Sequence, residues 1–256
     1  NDLHHGCLMC LVWLAGGAIA FCGALSYGEL GANFPKAGGE YILLKELYHP
    51  MVGFLSGWVS VLVGFTAPVA ASAIGFSLYL AAGLPANVSG HLPDNRVVAS
   101  GIIVVFTLIH TSRLEVSTGV QNMLTLLKIA ILSALVVVGF GYADFTGVVP
   151  ATGNGGLEWP SVSAMGLSLM WVMYSYSGWN ASTYIGSEIR NPSRNLPGSL
   201  IIGTATVVVL YLGLNFLFLY AIPPAEMAGV ISVGGMAMGN LFGPSADIVF
   251  SLLISF

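Results

Sequence analysis

The sequence predicts an all-α membrane protein, and three observations carry that prediction. Charged residues make up only 7% of the 256 positions while 56% are hydrophobic, against roughly a quarter charged in soluble domains. Mean hydropathy is +0.86. Apolar runs recur at lengths near the roughly 20 residues a helix needs to cross hydrocarbon, and none alternates apolar with polar as the strands of a membrane barrel do.

The runs fall at 7–28, 50–82, 97–111, 117–142, 161–188 and 197–222, and a seventh begins near Ala246 and is still apolar at Phe256. They form a single transmembrane domain over 1–256, with no linker or second soluble domain. The first run is too long for the core of a signal peptide and follows Asp2, His4 and His5 rather than Lys or Arg, so it is a retained span. The run 97–111 is short for a full crossing and 161–188 is long, which predicts a tilted or partial helix for one and an interruption for the other.

Cytoplasmic loops hold the excess of Lys and Arg. Lys36, Lys45, Arg113, Arg190 and Arg194 fall in alternate connections, whereas the intervening connections hold only Arg96. The connections 144–158 and 223–244, without Lys or Arg, then face outward, and so does residue 1. A chain that starts outside and stops within a helix is expected to be a fragment, lacking at least one span before residue 1 and several after Phe256.

The net charge of -4 offers no basic stripe for a phosphate backbone, which excludes nucleic acid as a partner. Cys7, Cys10 and Cys22 cluster in or beside the first run and do not make a disulfide framework. His4, His5, Cys7 and Cys10 are metal-ligand types at cramped spacing, and no metal or cofactor is predicted from them. Asn87-Val-Ser89 and Asn180-Ala-Ser182 match the glycosylation triplet, but the second lies within a span, so neither is assigned a role. His110 flanks a short helix and is also given none.

Four segments could carry chemistry. In Trp171-Val-Met-Tyr-Ser-Tyr-Ser-Gly-Trp-Asn180, Tyr, Ser and Gly replace good helix formers, each at about 0.5–1 kcal/mol relative to Ala. A break there would free main-chain N–H and C=O groups, which the bilayer tolerates only where they line a cavity or are buried in protein. Paired half-helix ends suit a zwitterion. A continuous helix whose small residues permit close packing fits the same residues. Lys128 lies nine residues beyond Gly119, roughly 14 Å into the hydrocarbon at 1.5 Å per residue. A charged Lys at that depth costs about 2.5–3.5 kcal/mol on insertion scales, so it should face the bundle interior and find partners such as backbone carbonyls. The other reading is a Lys that stretches to the cytoplasmic interface. The connection Ser26–Tyr41 carries Glu29 where a helix leaves the bilayer, with Gly31, Pro35, Gly38 and Gly39 allowing tight turns. In Ser187–Pro197, Pro192 and Pro197 are expected to stop one helix and start the next, with Arg190 and Arg194 anchoring the loop inside.

Glu29-Leu30 followed by Pro35, Gly38-Gly39 and Tyr41 resembles the first cytoplasmic loop of the amino acid-polyamine-organocation (APC) transporter superfamily. Tyr174–Asn180 with Glu188 and Asn191–Pro197 is similar to its sixth helix and following loop. The resemblance implies ten core helices in two inverted five-helix repeats, this chain running from the second helix into the eighth with a discontinuous helix near 174–180. It implies an aromatic gate at Tyr174 and main-chain contacts to a substrate amino group from Ser175, Tyr176, Ser177 and Gly178, with Trp179 and Asn180 completing the segment. Glu29, Pro35, Gly38, Gly39 and Glu188 would belong to the cytoplasmic loop and gate. Lys128 corresponds to a fifth-helix lysine that stands where sodium-coupled cousins bind sodium, and it is implicated in proton coupling or closure. The glycine-rich break of the family's first helix is absent.

The function implied is secondary transport of amino acids in the cell membrane, coupled to protons or run as exchange. None of Tyr174–Asn180 is acidic, which disfavours polyamines or other organic cations, the alternative substrates. An inactive truncated membrane fragment is the other alternative. A membrane-embedded enzyme would need clustered His, Asp or Glu inside the bilayer, and Lys128 is the only clear charge there. Neither the identity of the amino acid nor any subunit partner can be read from the residues.

Overall fold

The structure is a computed structural model and describes residues 6–84, 86–111, 114–142, 160–227, 229–230 and 232–254. Among these residues every regular element is helical. His4, His5, Arg113, the connection 144–158 and the last two residues of the seventh run lie outside them. The chain folds into two compact units, 1–62 with 149–216, and 63–148 with 217–256.

In the first unit, α1 (Gly6–Asn33) is a 28-residue helix with no acidic residue in its first turn. It buries Gly16, Gly17, Ala20, Ala24, Gly28 and Gly31, a stripe of small residues at close to four-residue spacing. Such a stripe lets neighbouring helices approach closely without a hydrophobic force between them. A Cβ on Gly16 would stand 2.5 Å from Val172, and one on Gly31 2.7 Å from Leu196. The stripe therefore seats α8 (Val162–Ser175) at one end and the start of α9 (Pro192–Ala221) at the other.

After α1 the chain turns through Gly38 and Gly39, at φ 131° and 53°, into α2 (Gly39–Leu47), a nine-residue helix between the first two apolar runs. Sequence periodicity did not reveal it because two glycines open it and it holds Glu40, Lys45 and Glu46. Lys36 and Glu46 pair at 2.9 Å across its outer side. His49 accepts from the Met51 N–H at 3.2 Å and Pro50 occupies the first turn of α3 (Pro50–Val59), which continues as a π-helical stretch, Ser60–Phe65.

The second unit holds α4 (Thr66–Gly83), the one-turn α5 (Ala86–Ser89), α6 (Asn95–His110), α7 (Leu114–Tyr142), α10 (Val233–Phe242) and α11 (Pro244–Ile254). Asp94 caps α6 by accepting from the Arg96 N–H at 2.8 Å. The helix α10 occupies part of the segment 223–244, where the sequence predicts a loop. Its ten residues are too few to register as a span, and it exists by packing on α11: a side chain at Gly234 would meet Phe250, and one at Gly235 would meet Asp247.

Among the described residues, four helical stretches are long and apolar enough to cross a membrane: Gly6–Asn33, Pro50–Gly83, Ser117–Gly141 and Pro192–Ala221. Asn95–His110 and Val162–Ser175 are shorter apolar helices. Leu62, Leu108, Leu126 and Val137 are 62%, 66%, 67% and 71% exposed, a surface that water disfavours and lipid does not. One boundary differs from expectation. The helix after the Arg190–Arg194 loop begins at Pro192, and Pro197 lies inside it. Asn191 turns the chain at φ 50° and Pro192, with φ already helical, starts the new helix.

Candidate functional site

The site is built on the end of α8. Ser161 caps that helix by accepting from the Ala164 N–H at 3.2 Å, and the ladder holds until the Tyr176 N–H donates to the Val172 carbonyl at 3.0 Å. The spacing then tightens: Ser177 N–H donates to Tyr174 C=O at 3.1 Å, Ala181 N–H to Gly178 C=O at 3.0 Å, and Thr183 N–H to Asn180 C=O at 3.0 Å. Gly178 adopts φ 97°, a conformation that L side chains rarely take. Beyond it Ala181–Glu188 runs as a 3-10 helix. The long run 161–188 is thus two helical pieces around a break at 176–180.

Three anchors hold the break. Tyr176 is 4% exposed; its hydroxyl donates to the Trp13 carbonyl of α1 at 3.3 Å, and its ring packs with Trp13 and Tyr211 at centroid distances of 5.8 and 5.2 Å. Trp179 meets Tyr27 edge to face at 4.9 Å and lies over Gly23, where a Cβ would come within 2.8 Å of its ring. On the far limb Asn180 and Tyr184 both donate to the carboxylate of Glu40, and the Gly38 N–H donates to the Tyr184 carbonyl at 3.1 Å.

Beside the break lies an open cavity of about 300 Å³, at the small end of ligand pockets, which span about 300–1,000 Å³. Ser175, Tyr176, Ser177, Gly178 and Trp179 form one wall, and Ser199, Gly203, Thr204, Val207 and Tyr211 of α9 the other. Among the described residues, no charged side chain lines it. The Tyr211 hydroxyl donates to the Ser175 carbonyl at 3.1 Å, and Ser199 donates to Ser182 at 3.1 Å. Thr204 is 5% exposed, and its hydroxyl is the one buried side-chain polar atom without a hydrogen-bond partner among the described residues.

Of the residues singled out by sequence, the structure brings Ser175 to Trp179 together on this wall. Asn180 stands just outside it on Glu40, and Tyr174 is 47% exposed and does not line the cavity. Glu29, Pro35 and Glu188 are exposed, Gly38 is half-buried and Gly39 buried. Lys128 belongs to the second unit. It is exposed there and lines a cavity of about 670 Å³ with Val69, Phe76, Ile103, Phe106 and His110. His110 meets Ser117 at 2.5 Å and stacks on Phe106. Sequence reading missed the α9 wall and Glu40. The signal for the wall was present: Ser199, Gly203, Val207 and Tyr211 recur every four residues, which places them on one helix face.

The amino acid permease family profile matches residues 3–256. The chain is 30% identical to the b(0,+)-type amino acid transporter 1 of Mus musculus, over 85% of this chain and 45% of that protein. It is 28% identical to the large neutral amino acids transporter small subunit 2 of Mus musculus, over 94% and 46%, and 29% identical to the Asc-type amino acid transporter 1 of Mus musculus, over 86% and 42%. It therefore spans less than half the length of these curated relatives, which are named for transport and not for catalysis. With four helices among the described residues able to cross a membrane, it is multi-pass and integral to the bilayer. The chain belongs to the amino acid permease family of the APC superfamily.

Proposed function

We propose that the protein is a secondary transporter that carries amino acids across the cell membrane by alternating access, with the break at 176–180 as one wall of the substrate site. The observation that carries this reading is the change from i→i−4 to i→i−3 hydrogen bonding at Ser177, beside a cavity lined by hydroxyls and main-chain groups. Uncharged polar groups suit a net-neutral zwitterion: carbonyls at the end of α8 accept from its ammonium, and the Ser and Thr hydroxyls take either role. An acidic wall would suit a polyamine or other organic cation, and this wall has none. Thr204 lines the cavity and carries a buried hydroxyl without a partner. The names of the relatives, which specify amino acid transport, support the same substrate class.

Lys128 serves coupling in this reading, either to protons or to closure in an exchanger. Its cavity is walled mostly by apolar side chains. Residue 1 faces outward, and the loops that hold Lys36, Lys45, Arg190 and Arg194 face the cytoplasm. Uptake of radiolabelled amino acids by proteoliposomes holding the protein, with polyamines as competitors, tests the reading. Saturable amino acid uptake that polyamines do not compete supports it, and uptake of polyamines alone rejects it.

A further inference from the structure

The densest polar contact in the first unit is not at the cavity but one step below it. Glu40 is the second residue of α2, so its carboxylate sits where the positive end of the helix dipole favours an anion. Its two oxygens are used separately: Oε1 accepts from the Asn180 carboxamide and Oε2 from the Tyr184 hydroxyl. Those donors are 140 and 144 residues away in sequence. Asn180 is the residue on which the 3-10 segment starts, and Tyr184 lies in its middle.

Around this fork the two backbones close on each other. The Gly38 N–H donates to the Tyr184 carbonyl at 3.1 Å, and a Cβ on Gly39 would stand 2.5 Å from the Tyr184 ring. Gly186 approaches the Lys36 carbonyl, which a Cβ would meet at 3.2 Å. The upper limb of the break is fixed to α1 through Tyr176. The lower limb is held by the carboxylate, by backbone contact, by the Ser199 hydroxyl on Ser182 and by a side-chain hydrogen bond between Ser60 and Tyr184.

We propose that Glu40 is a positioning residue, a latch whose carboxylate sets the direction in which the chain leaves the break and must release Asn180 and Tyr184 before α2 and the 3-10 segment can part. An ionised carboxylate only accepts, and both partners donate, so the fork is satisfied with the proton absent. Charge-assisted bonds of this kind are about twice as strong as neutral ones, so the fork ties the two segments more firmly than the neutral Gly38–Tyr184 main-chain bond beside it. Glutamine at the same position presents one acceptor and one donor, so it can still meet Asn180 but holds Tyr184 only by turning that hydroxyl into an acceptor, and it loses the charge behind both bonds. The fork's effect on transport rests on the substrate-site reading above; its effect on the two segments does not.

The test is amide hydrogen exchange on the whole protein in lipid nanodiscs, without substrate, followed by uptake in proteoliposomes. In Glu40→Ala the amides of Gly38 and of Ala181–Glu188 should exchange at least about tenfold faster, with those of Gly6–Asn33 unchanged. Glu40→Gln should give an intermediate increase. Tyr184→Phe keeps the ring against Gly39 and removes one donor; it should match Glu40→Gln, and the two together should add little to either alone. The same variants should change kcat more than KM, because they alter opening and leave the cavity wall in place. Faster exchange with no amino acid uptake by the unmodified protein would keep the latch and reject the transport reading. Exchange unchanged in both Glu40→Ala and Tyr184→Phe would overturn the latch whatever uptake does.

Discussion

The hydroxyl of Tyr211, on α9, donates at 3.1 Å to the main-chain carbonyl of Ser175, the last residue of α8. A helix leaves its final carbonyls without partners, and in a bilayer water does not supply them. Tyr211 therefore does for the broken helix what the next turn would have done. Tyr211→Phe should retain the packing on Trp13 and Tyr176 and lose about 1 kcal/mol of stability. Thermal unfolding with and without a saturating amino acid checks this, and a smaller loss with the ligand present is expected where its ammonium takes over the carbonyl.

Gly178→Ala and Gly23→Ala should both weaken the site, for different reasons. At Gly178 nothing lies within 4 Å of a Cβ, but φ is 97°, so the change strains the backbone by about 1–2 kcal/mol and reshapes the break. At Gly23 the added methyl would enter the Trp179 ring, an overpacking penalty of typically 1–3 kcal/mol. Gly23→Ala should be rescued in part by Trp179→Phe, and Gly178→Ala should not; unfolding midpoints of the two double variants decide it.

Thr204→Val removes a buried hydroxyl that has no partner. Loss of an unsatisfied polar group is neutral or stabilising by up to about 1 kcal/mol, so the unfolding temperature should hold or rise. If the hydroxyl serves the substrate, KM for uptake should rise several-fold in the same variant.

Lys128→Ala should abolish the response of uptake to an imposed pH gradient while leaving equilibrium binding of the amino acid measurable. Uptake that ignores both the gradient and the substitution removes Lys128 from coupling.

The Lys36–Glu46 pair sets a pH boundary outside the membrane. The hydrogen bond from Lys36, and then its charge, holds the Glu46 carboxyl below its ordinary value of 4.5. A lowered carboxylate pKa means that the pair's contribution is complete above the ordinary value and fades as pH falls through the lowered one. Lys36→Ala should therefore remove a contribution that is complete above that ordinary value and absent at low pH, and because both partners are exposed the loss of stability stays small. Carboxyl titration followed by NMR on a labelled α2 peptide segment within the protein should show Glu46 returning to its ordinary value in that variant.

Much of the fold was legible because hydrocarbon imposes one rule, apolar helices of sufficient length. The break was legible too, since Tyr174–Gly178 lacks good helix formers inside a run too long for one span. What stayed hidden depended on neighbours. Nine residues opening on Gly38 and Gly39 carry no apolar periodicity, and α2 forms because Tyr184 and Asn180 meet it. The helix α10 was hidden in the same way, being short and glycine-bearing and stabilised by Phe250 and Asp247 of α11. Pro197 reads as a helix start because proline is favoured in a first helical turn, but Asn191 has already made the turn and Pro192 takes that place. The wall formed by Ser199, Thr204 and Tyr211 needed knowledge of which face of α9 meets α8, and only packing against the small residues of α1 decides that.

The central claim is that the interrupted backbone at Ser177 touches the transported amino acid. Its most direct test is labelling of Ser177→Cys by a small membrane-impermeant thiol reagent, with Cys7, Cys10 and Cys22 replaced by Ala, in the presence of increasing amino acid. The account predicts that labelling proceeds and is slowed in a saturable way by those amino acids that the protein takes up, and not by polyamines. A cysteine there that never reacts, or that reacts at one rate whatever amino acid is added, would contradict it.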